Sequence, residues 1–268
     1  MHACASLVLG IVLLNCSLIG DTLKVDPQRD LVSELKSHQI ISQNEPVRLH
    51  LGCGENHFPG YVNIDFPPTE HSVQKVQGAD AFADITRMRA KPLSLDEVRN
   101  HHVFEHFQRP VALALLCAWH DWLKVGGKLH IETPDFEASL RLLSNPKTSY
   151  ADKQIIIRHL FGSHEASWAV HCDGWYKEKF QHILQELGFG EFHFKKLGSK
   201  PIKNVAAIAV KSKELSRDEL KEKAKQLLKE NLVDESEHPL WVVWCDMFDQ
   251  AFDQLILENP SMQIVESN

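Results

Sequence analysis

Residues 101 to 107 read His-His-Val-Phe-Glu-His-Phe, and within them His102, Glu105 and His106 have the H-x-x-E-H spacing of a zinc-binding turn. On a helix, His102 and His106 would share one face with the Glu105 carboxylate between them. A third ligand would have to come from downstream, where Glu178 and Glu186 are available, and the ion would activate water for hydrolysis. Imidazoles also titrate near neutrality without any metal, so His102, His106 and His171 are each candidates for a general base, His171 being preferred on the acceptor side, with Glu105 fixing the loop or an acceptor hydroxyl. His171 stands beside Asp173 in a loop before a helix, and Glu132 and Asp135 follow as secondary candidates at the end of a strand.

A second group of residues carries different chemistry. Leu51, Gly52, Cys53 and Gly54 end the alternating run of Val47, Leu49 and Leu51, which reads as a strand followed by a sharp turn. Glycine at such a turn lets the backbone approach a ligand with no Cβ in the way. The full dinucleotide fingerprint is not met, because position 57 is His57 and nine residues, Glu55 to Asn63, separate Gly54 from Ile64. That spacing supports no pyrophosphate seat at a helix N-terminus. Asp65, closing the strand YVNID, can accept both hydroxyls of a ribose, and Asp84 beside the backbone amide of Ile85 can read an adenine edge. Two glycines and two ordered acids suit a nucleoside that carries a positive sulfonium and no phosphates.

The elements that must position these groups follow from periodicity. A lead-in helix over 28–39 precedes the first strand, 61–65 is a second strand, and 96–100 is a weaker one. Pro110 opens a helix that is apolar nearly all round, VALALLCAWHDWLKV, and Gly126-Gly127 stops it before the strand 128–133. Helices over 149–161 and 175–188 and strands over 191–197 and 204–212 complete the alternation. The pattern predicts an α/β, doubly wound, mostly parallel Rossmann-like sheet with a closing antiparallel strand.

In these motifs and their order the chain resembles the class I S-adenosylmethionine-dependent methyltransferases. It looks closest to a bacterial branch with the pattern LHLGCG, PGYVNID, D-ITR, HVFEH, LKVGGKLHIETPDFE, and the likeness runs from Arg48 to Lys211. LFGSHE, HCDGWYKEKF and LQELGF continue it in the right order, while Val125 stands where the branch usually has proline. The resemblance implies S-adenosyl-L-methionine as cofactor. It places Gly52 and Gly54 on the methionine part, Asp65 on ribose, Asp84 with Ile85 on adenine, and the segment from His101 along the methyl-transfer pocket. No metal is implied. The H-x-x-E-H zinc peptidases are much larger proteins, so the zinc hydrolase is the third reading, behind the transferase and a catalytically silent cofactor-binding scaffold.

Composition bounds the partners. With 268 residues, 43% hydrophobic and 24% charged, the chain suits one large α/β domain with an appendage, and a net charge of −7 gives no general support for nucleic-acid binding. The six cysteines, at 4, 16, 53, 117, 172 and 245, form no C-x-x-C and suit a reducing, cytoplasmic setting. The division expected is an apolar segment 1–27, a methyltransferase-like domain 28–212 and a helical extension 213–268. The apolar run of the first 20 residues has no Lys or Arg before it and no small-x-small cleavage site after it. Two readings stand for it: a membrane contact through residues 4–20 with the domain on the cytoplasmic side, or a mis-assigned start codon. Residues 211–230 read as a mixed-charge helix. In 234–258, Trp241, Trp244, Phe248, Phe252 and Leu255 form one aromatic stripe that docks as core in preference to binding a partner. The acceptor expected is a small hydroxyl- or amine-bearing molecule, with a sugar or lipid-linked sugar in view; nothing in the sequence speaks to oligomeric state.

Overall fold

The computed structural model describes residues 22–67, 76 and 78–257. The apolar run of residues 1–20 lies outside the described residues. Within them, no helix is long and apolar enough to cross a membrane.

Eight strands form the sheet: β1 (Leu23–Lys24), β2 (Arg48–Leu51), β3 (Val62–Asp65), β4 (Ala81–Phe82), β5 (Leu95–His101), β6 (Leu123–Pro134), β7 (Phe189–Leu197) and β8 (Asn204–Lys211). Their order is β1-β4-β3-β2-β5-β6-β8-β7. Every pairing is parallel except those of β8, which is antiparallel to β6 and to β7. From β2 the chain winds outward through β3 and β4 on one side and through β5 and β6 on the other. The order therefore reverses between β2 and β5, the switch point where a Rossmann-like sheet opens a crevice at the carboxyl ends of its strands.

Helix α1 (Leu31–Ser37) leads in behind an Asp30 cap, and α2 (Arg109–Trp122) crosses from β5 to β6. The apolar circumference of α2 is explained by what surrounds it. It packs beneath α6 (Arg217–Lys229) and α7 (His238–Leu255), and Trp119 and Trp122 are fully buried. From α7, Phe248, Phe252 and Leu255 enter the same core, and the Trp241 indole donates to the Lys225 carbonyl at 2.9 Å. The aromatic stripe is thus core.

Several boundaries depart from the periodicity. Helix α2 ends at Trp122, ahead of the double glycine, because Leu123 is already extended and pairs with Leu95. The buried Lys211 ammonium, at the end of β8, donates to the carbonyls of His120 (2.7 Å) and Leu123 (2.9 Å). A cation on the last carbonyls of a helix satisfies acceptors that no further turn would serve. Helix α6 begins at Arg217 because Ser216 and Glu219 form a reciprocal capping box there. Helix α3 (Phe136–Leu143) was not apparent from periodicity. Asp135, a secondary catalytic candidate, is its N-cap and accepts from the Ala138 N–H at 2.9 Å. Helices α4 (Tyr150–Phe161) and α5 (Lys177–Glu186) lie where expected.

The short connection between β2 and β3 is organised by Asn63, which is fully buried. Its amide oxygen accepts from the Phe58 N–H (2.8 Å) and bonds the His50 ring (3.0 Å), while its amide nitrogen donates to Asp80 (2.9 Å) and to the carbonyls of Phe58 and Tyr61 (3.2 Å each). The loop so folded lays Phe58 under the Arg99 guanidinium at 4.2 Å and brings the Tyr61 hydroxyl to Glu97 at 2.7 Å. Removing one side of a buried hydrogen-bond set leaves its partners unsatisfied, at about 1–3 kcal/mol per group. Asn63→Ala is expected to lower unfolding free energy by about 2–3 kcal/mol in urea denaturation, with the midpoint falling and the slope unchanged.

Candidate active site

The glycine turn after β2 is closed by β3. Gly52 and Gly54 both take positive φ, +65° and +57°. The N–H groups of Gly52 and Cys53 donate to the Ile64 carbonyl at 2.8 and 3.2 Å. A Cβ on Gly52 would collide with the side chain of Val103, from the turn after β5, so no other residue fits the position without displacing that turn. Gly54 N–H donates to the Asp65 carboxylate, which also accepts from the Phe66 N–H at 2.7 Å. Asp65 is nearly enclosed, at 5% exposure, and its first action is to fasten the glycine loop. Leu51 turns its side chain into the core, so it offers the site only backbone. The Cys53 thiol is buried and pushed up to about 12, by burial first and by Asp65 and Asp80 after it; it is a packing group and not a nucleophile.

Beyond Asp65, at the carboxyl ends of β1, β3 and β4, lies a cavity of about 270 Å³ between Val25, Phe66, Phe82 and Asp84. Asp84 accepts from the backbone N–H and the hydroxyl of Thr86, at 2.9 and 2.6 Å, which fixes the turn that follows β4. Ile85 is buried in that turn.

On the other side of the switch point, His101 ends β5 within a cluster of rings. His50, Phe58 and His130 lie 5.8, 5.7 and 5.2 Å away, and the Arg99 guanidinium donates to its Nε2 at 3.0 Å. Burial, reinforced by Arg99, holds His101 at about 3 and His130 at about 4. The structure thus engages His101 with the face of the sheet, and it is Val103 that packs on the glycine turn.

The H-x-x-E-H segment does not form a helical turn. His102 takes φ +53°, and Phe104–His106 is a single 3-10 turn, so His102 and His106 do not stack as they would four residues apart on a helix. Glu178 and Glu186 belong to α5, where Lys223 pairs with Glu186 at 3.0 Å; neither joins the histidines. Instead Glu105, 1% exposed, is the centre of the segment. One carboxylate oxygen bonds His102 Nδ1 at 3.1 Å and lies 3.9 Å from His171 Nε2, and the other has no hydrogen-bond partner. The His106 and His171 rings meet edge to face at 4.7 Å. Asp173, expected beside His171, is directed to Lys179 (2.7 Å) and Arg109 (3.4 Å).

The far nitrogen of His102 is set by residues with no local signal in the sequence. The Asn204 amide, at the start of β8, donates to Glu132 at 2.9 Å, and the same nitrogen faces His102 Nε2 at 2.9 Å. His159 of α4 holds the Asn204 amide oxygen at 2.9 Å. This orientation makes His102 Nε2 an acceptor and leaves Nδ1–H to donate to Glu105. Burial opposes a charge on His102, but the hydrogen bond and charge of Glu105, with Glu132 behind them, outweigh it and raise its pKa. Burial lowers that of His171.

No family model matches the chain, and no curated protein does. Solved structures similar to it include a SAM-dependent methyltransferase from Methanosarcina mazei, 17% identical over 66% of this chain and 97% of the other, with a TM-score of 0.42. Another, from Archaeoglobus fulgidus, is 14% identical over 67% and 92%, with a TM-score of 0.38. Human N-acetylserotonin methyltransferase in complex with SAM is 14% identical over 68% and 53%, with a TM-score of 0.40. Likeness at this level says nothing of activity.

The ring cluster makes the fold acid-sensitive. His101 has a folded pKa far below the ordinary value of about 6.5, so the unfolded chain takes up the proton first as pH falls. Its neutral form contributes stability in full above about pH 6.5, and that contribution is lost progressively as pH falls toward about 3. The thermal midpoint is expected to fall between about pH 7 and about pH 4.5, and to fall less steeply in His101→Asn; equal slopes in the two proteins would count against this assignment.

Proposed function

We propose that this chain transfers a methyl group from S-adenosylmethionine to the oxygen or nitrogen of a small acceptor, a sugar or lipid-linked sugar among the candidates. The observation that carries the reading is a division at the switch point: a glycine turn closed by Asp65 on one side, and on the other the buried Glu105 carboxylate bonded to the exposed His102 ring. In a sheet of this topology a nucleoside lies across the carboxyl ends of neighbouring strands. Strands are about 4.8 Å apart, so the path from the glycine turn past Asp65 to the Asp84–Ile85 turn spans roughly 10 Å, the length of an adenosine. The positive-φ glycines leave room for the methionine part, Asp65 serves the ribose, and the cavity lined by Val25, Phe66, Phe82 and Met88 beside the Asp84 carboxylate, with Lys24 and Arg87 also lining it, takes the adenine.

When bound, the cofactor supplies an electrophilic methyl group on a sulfonium. The chain's own work is positioning and proton removal. Glu105 fixes His102 in the tautomer whose Nε2 lone pair is directed away from the core, as a buried carboxylate does for a catalytic imidazole. An acceptor hydroxyl that replaces the Asn204 amide at Nε2 gives its proton to His102 while its oxygen takes the methyl group. His106, His171 and Glu132 line the same side. The scaffold alternative would act through α7, whose Phe248, Phe252 and Leu255 are buried while Trp241 and Trp244 are partly buried and Leu240, Val242 and Val243 are exposed.

Calorimetry with S-adenosylmethionine and S-adenosylhomocysteine tests the reading. The wild type is expected to bind both, and Asp65→Ala to bind at least ~10-fold more weakly, a loss of about 1.4 kcal/mol. Absence of binding by the wild type would sink the proposal. His102→Gln is expected to keep cofactor affinity and to lose about 10²–10⁴ in turnover, the usual worth of a general base. An unchanged kcat in that variant would remove His102 from the chemistry.

A further inference from the structure

We propose that Glu105, His106 and His171 bind one divalent first-row transition-metal ion. The carboxylate and the two imidazoles bring one ligand atom each within 4.8 Å of one another. Glu105 is 1% exposed, and its second oxygen is enclosed with no hydrogen-bond partner. A buried carboxylate oxygen in that state is destabilising until a hydrogen-bond donor or a cation meets it, and beside two imidazoles a cation is the ligand the group fits. His171 Nε2 lies 3.9 Å from Glu105, and the Leu160 backbone holds the ring by a hydrogen bond. His106 Nδ1 faces the Val170 carbonyl at 3.2 Å. Donation of that N–H leaves Nε2 as the ring's acceptor, the pattern in which metal-binding histidines are oriented by a carbonyl behind them.

The three donors come from two segments, and the backbone ties those segments together. Cys172 N–H donates to the Glu105 carbonyl at 2.8 Å, and His171 N–H to the Phe161 carbonyl at 3.1 Å. Bonds of ~2.1 Å to a tetrahedral ion set donors about 3.4 Å apart, so side-chain rotation that closes the widest pair by about 1.4 Å completes the site. Two nitrogens and one carboxylate select zinc, iron or manganese over calcium and magnesium, which take oxygen donors. The site differs from the H-x-x-E-H zinc pattern, since His102 is not a ligand but a hydrogen-bond partner of the same carboxylate. A three-residue donor set leaves positions open. Toward the acceptor, such an ion would hold a hydroxyl oxygen and make it more acidic, with His102 as the proton's destination. That role rests on the methyltransferase reading; the ion site itself does not.

The test uses full-length protein stripped of metal with a chelator and titrated calorimetrically with Zn2+, with no S-adenosylmethionine present. One ion per chain is expected, and Co2+ in its place should give the visible absorption of an imidazole-ligated ion. Loss of an outer partner costs 10–100-fold in metal affinity, so His106→Ala, His171→Ala and Glu105→Gln are each expected to weaken Zn2+ by about 100-fold or more. His182→Gln, at an exposed position on α5, should leave it unchanged. Thermal unfolding without metal establishes that each variant is folded, and the half-exposed His106 keeps the comparison decisive if Glu105→Gln is not. Absence of stoichiometric binding, or binding that survives His171→Ala, overturns the site. A chain that binds the ion but not the cofactor refutes the transferase alone, and one that binds the cofactor but no ion refutes this site alone.

Discussion

The constraint on which the sheet's ligand edge depends is the brevity of the link from β2 to β3. Nine residues, Glu55 to Asn63, return the chain to the sheet, where a Rossmann-like unit ordinarily has a helix. The polar groups of so short a loop must find partners within it or in the strands it joins. Asn63 answers with both ends of its amide, and Asp65 answers by taking the Gly54 N–H. The glycine turn is therefore held by the same strand whose terminal acid closes it. Under the proposed reading, cofactor binding and loop stability would draw on one set of hydrogen bonds.

The same brevity shapes the sheet face below. Phe58 and Tyr61 are laid across a surface that carries His50, Glu97, Arg99, His101 and His130. A guanidinium against two aromatic rings, beside imidazoles whose pKa values burial lowers, makes a polar layer on this face. Its weakness is acid, since each neutral imidazole there gains a proton more readily once the chain unfolds.

Across the switch point the organising group is Glu105. A carboxylate with 1% exposure is costly unless its oxygens are met, and here His102 meets one of them. Its backbone carbonyl holds Cys172, which brings the loop carrying His171 against the turn after β5. The Glu105–His102 bond and the Cys172 backbone bond hold the segment from two directions. His102 takes φ +53° there, a region histidine enters more readily than most non-glycine residues.

Much of this was legible in the sequence. Local alternation and turn residues determined the strands on either side of Gly52, the Ser149 start of α4 and the alternating α/β class; the helical spacing from Trp241 to Leu255 marked a face that had to be covered. The candidate residues themselves were visible by type and by their order along the chain; that Asp65, Asp84 and Asp135 also fasten local turns was not. What tertiary structure alone decided is which of them meet. Lys211 ends α2 from β8, Asn204 and His159 orient His102 from β8 and α4, and His171 turns from Asp173 to Glu105. Periodicity reports the face a residue occupies within its own element, whereas a hydrogen bond between the turn after β5 and β8 depends on the strand order, and no local pattern encodes that order.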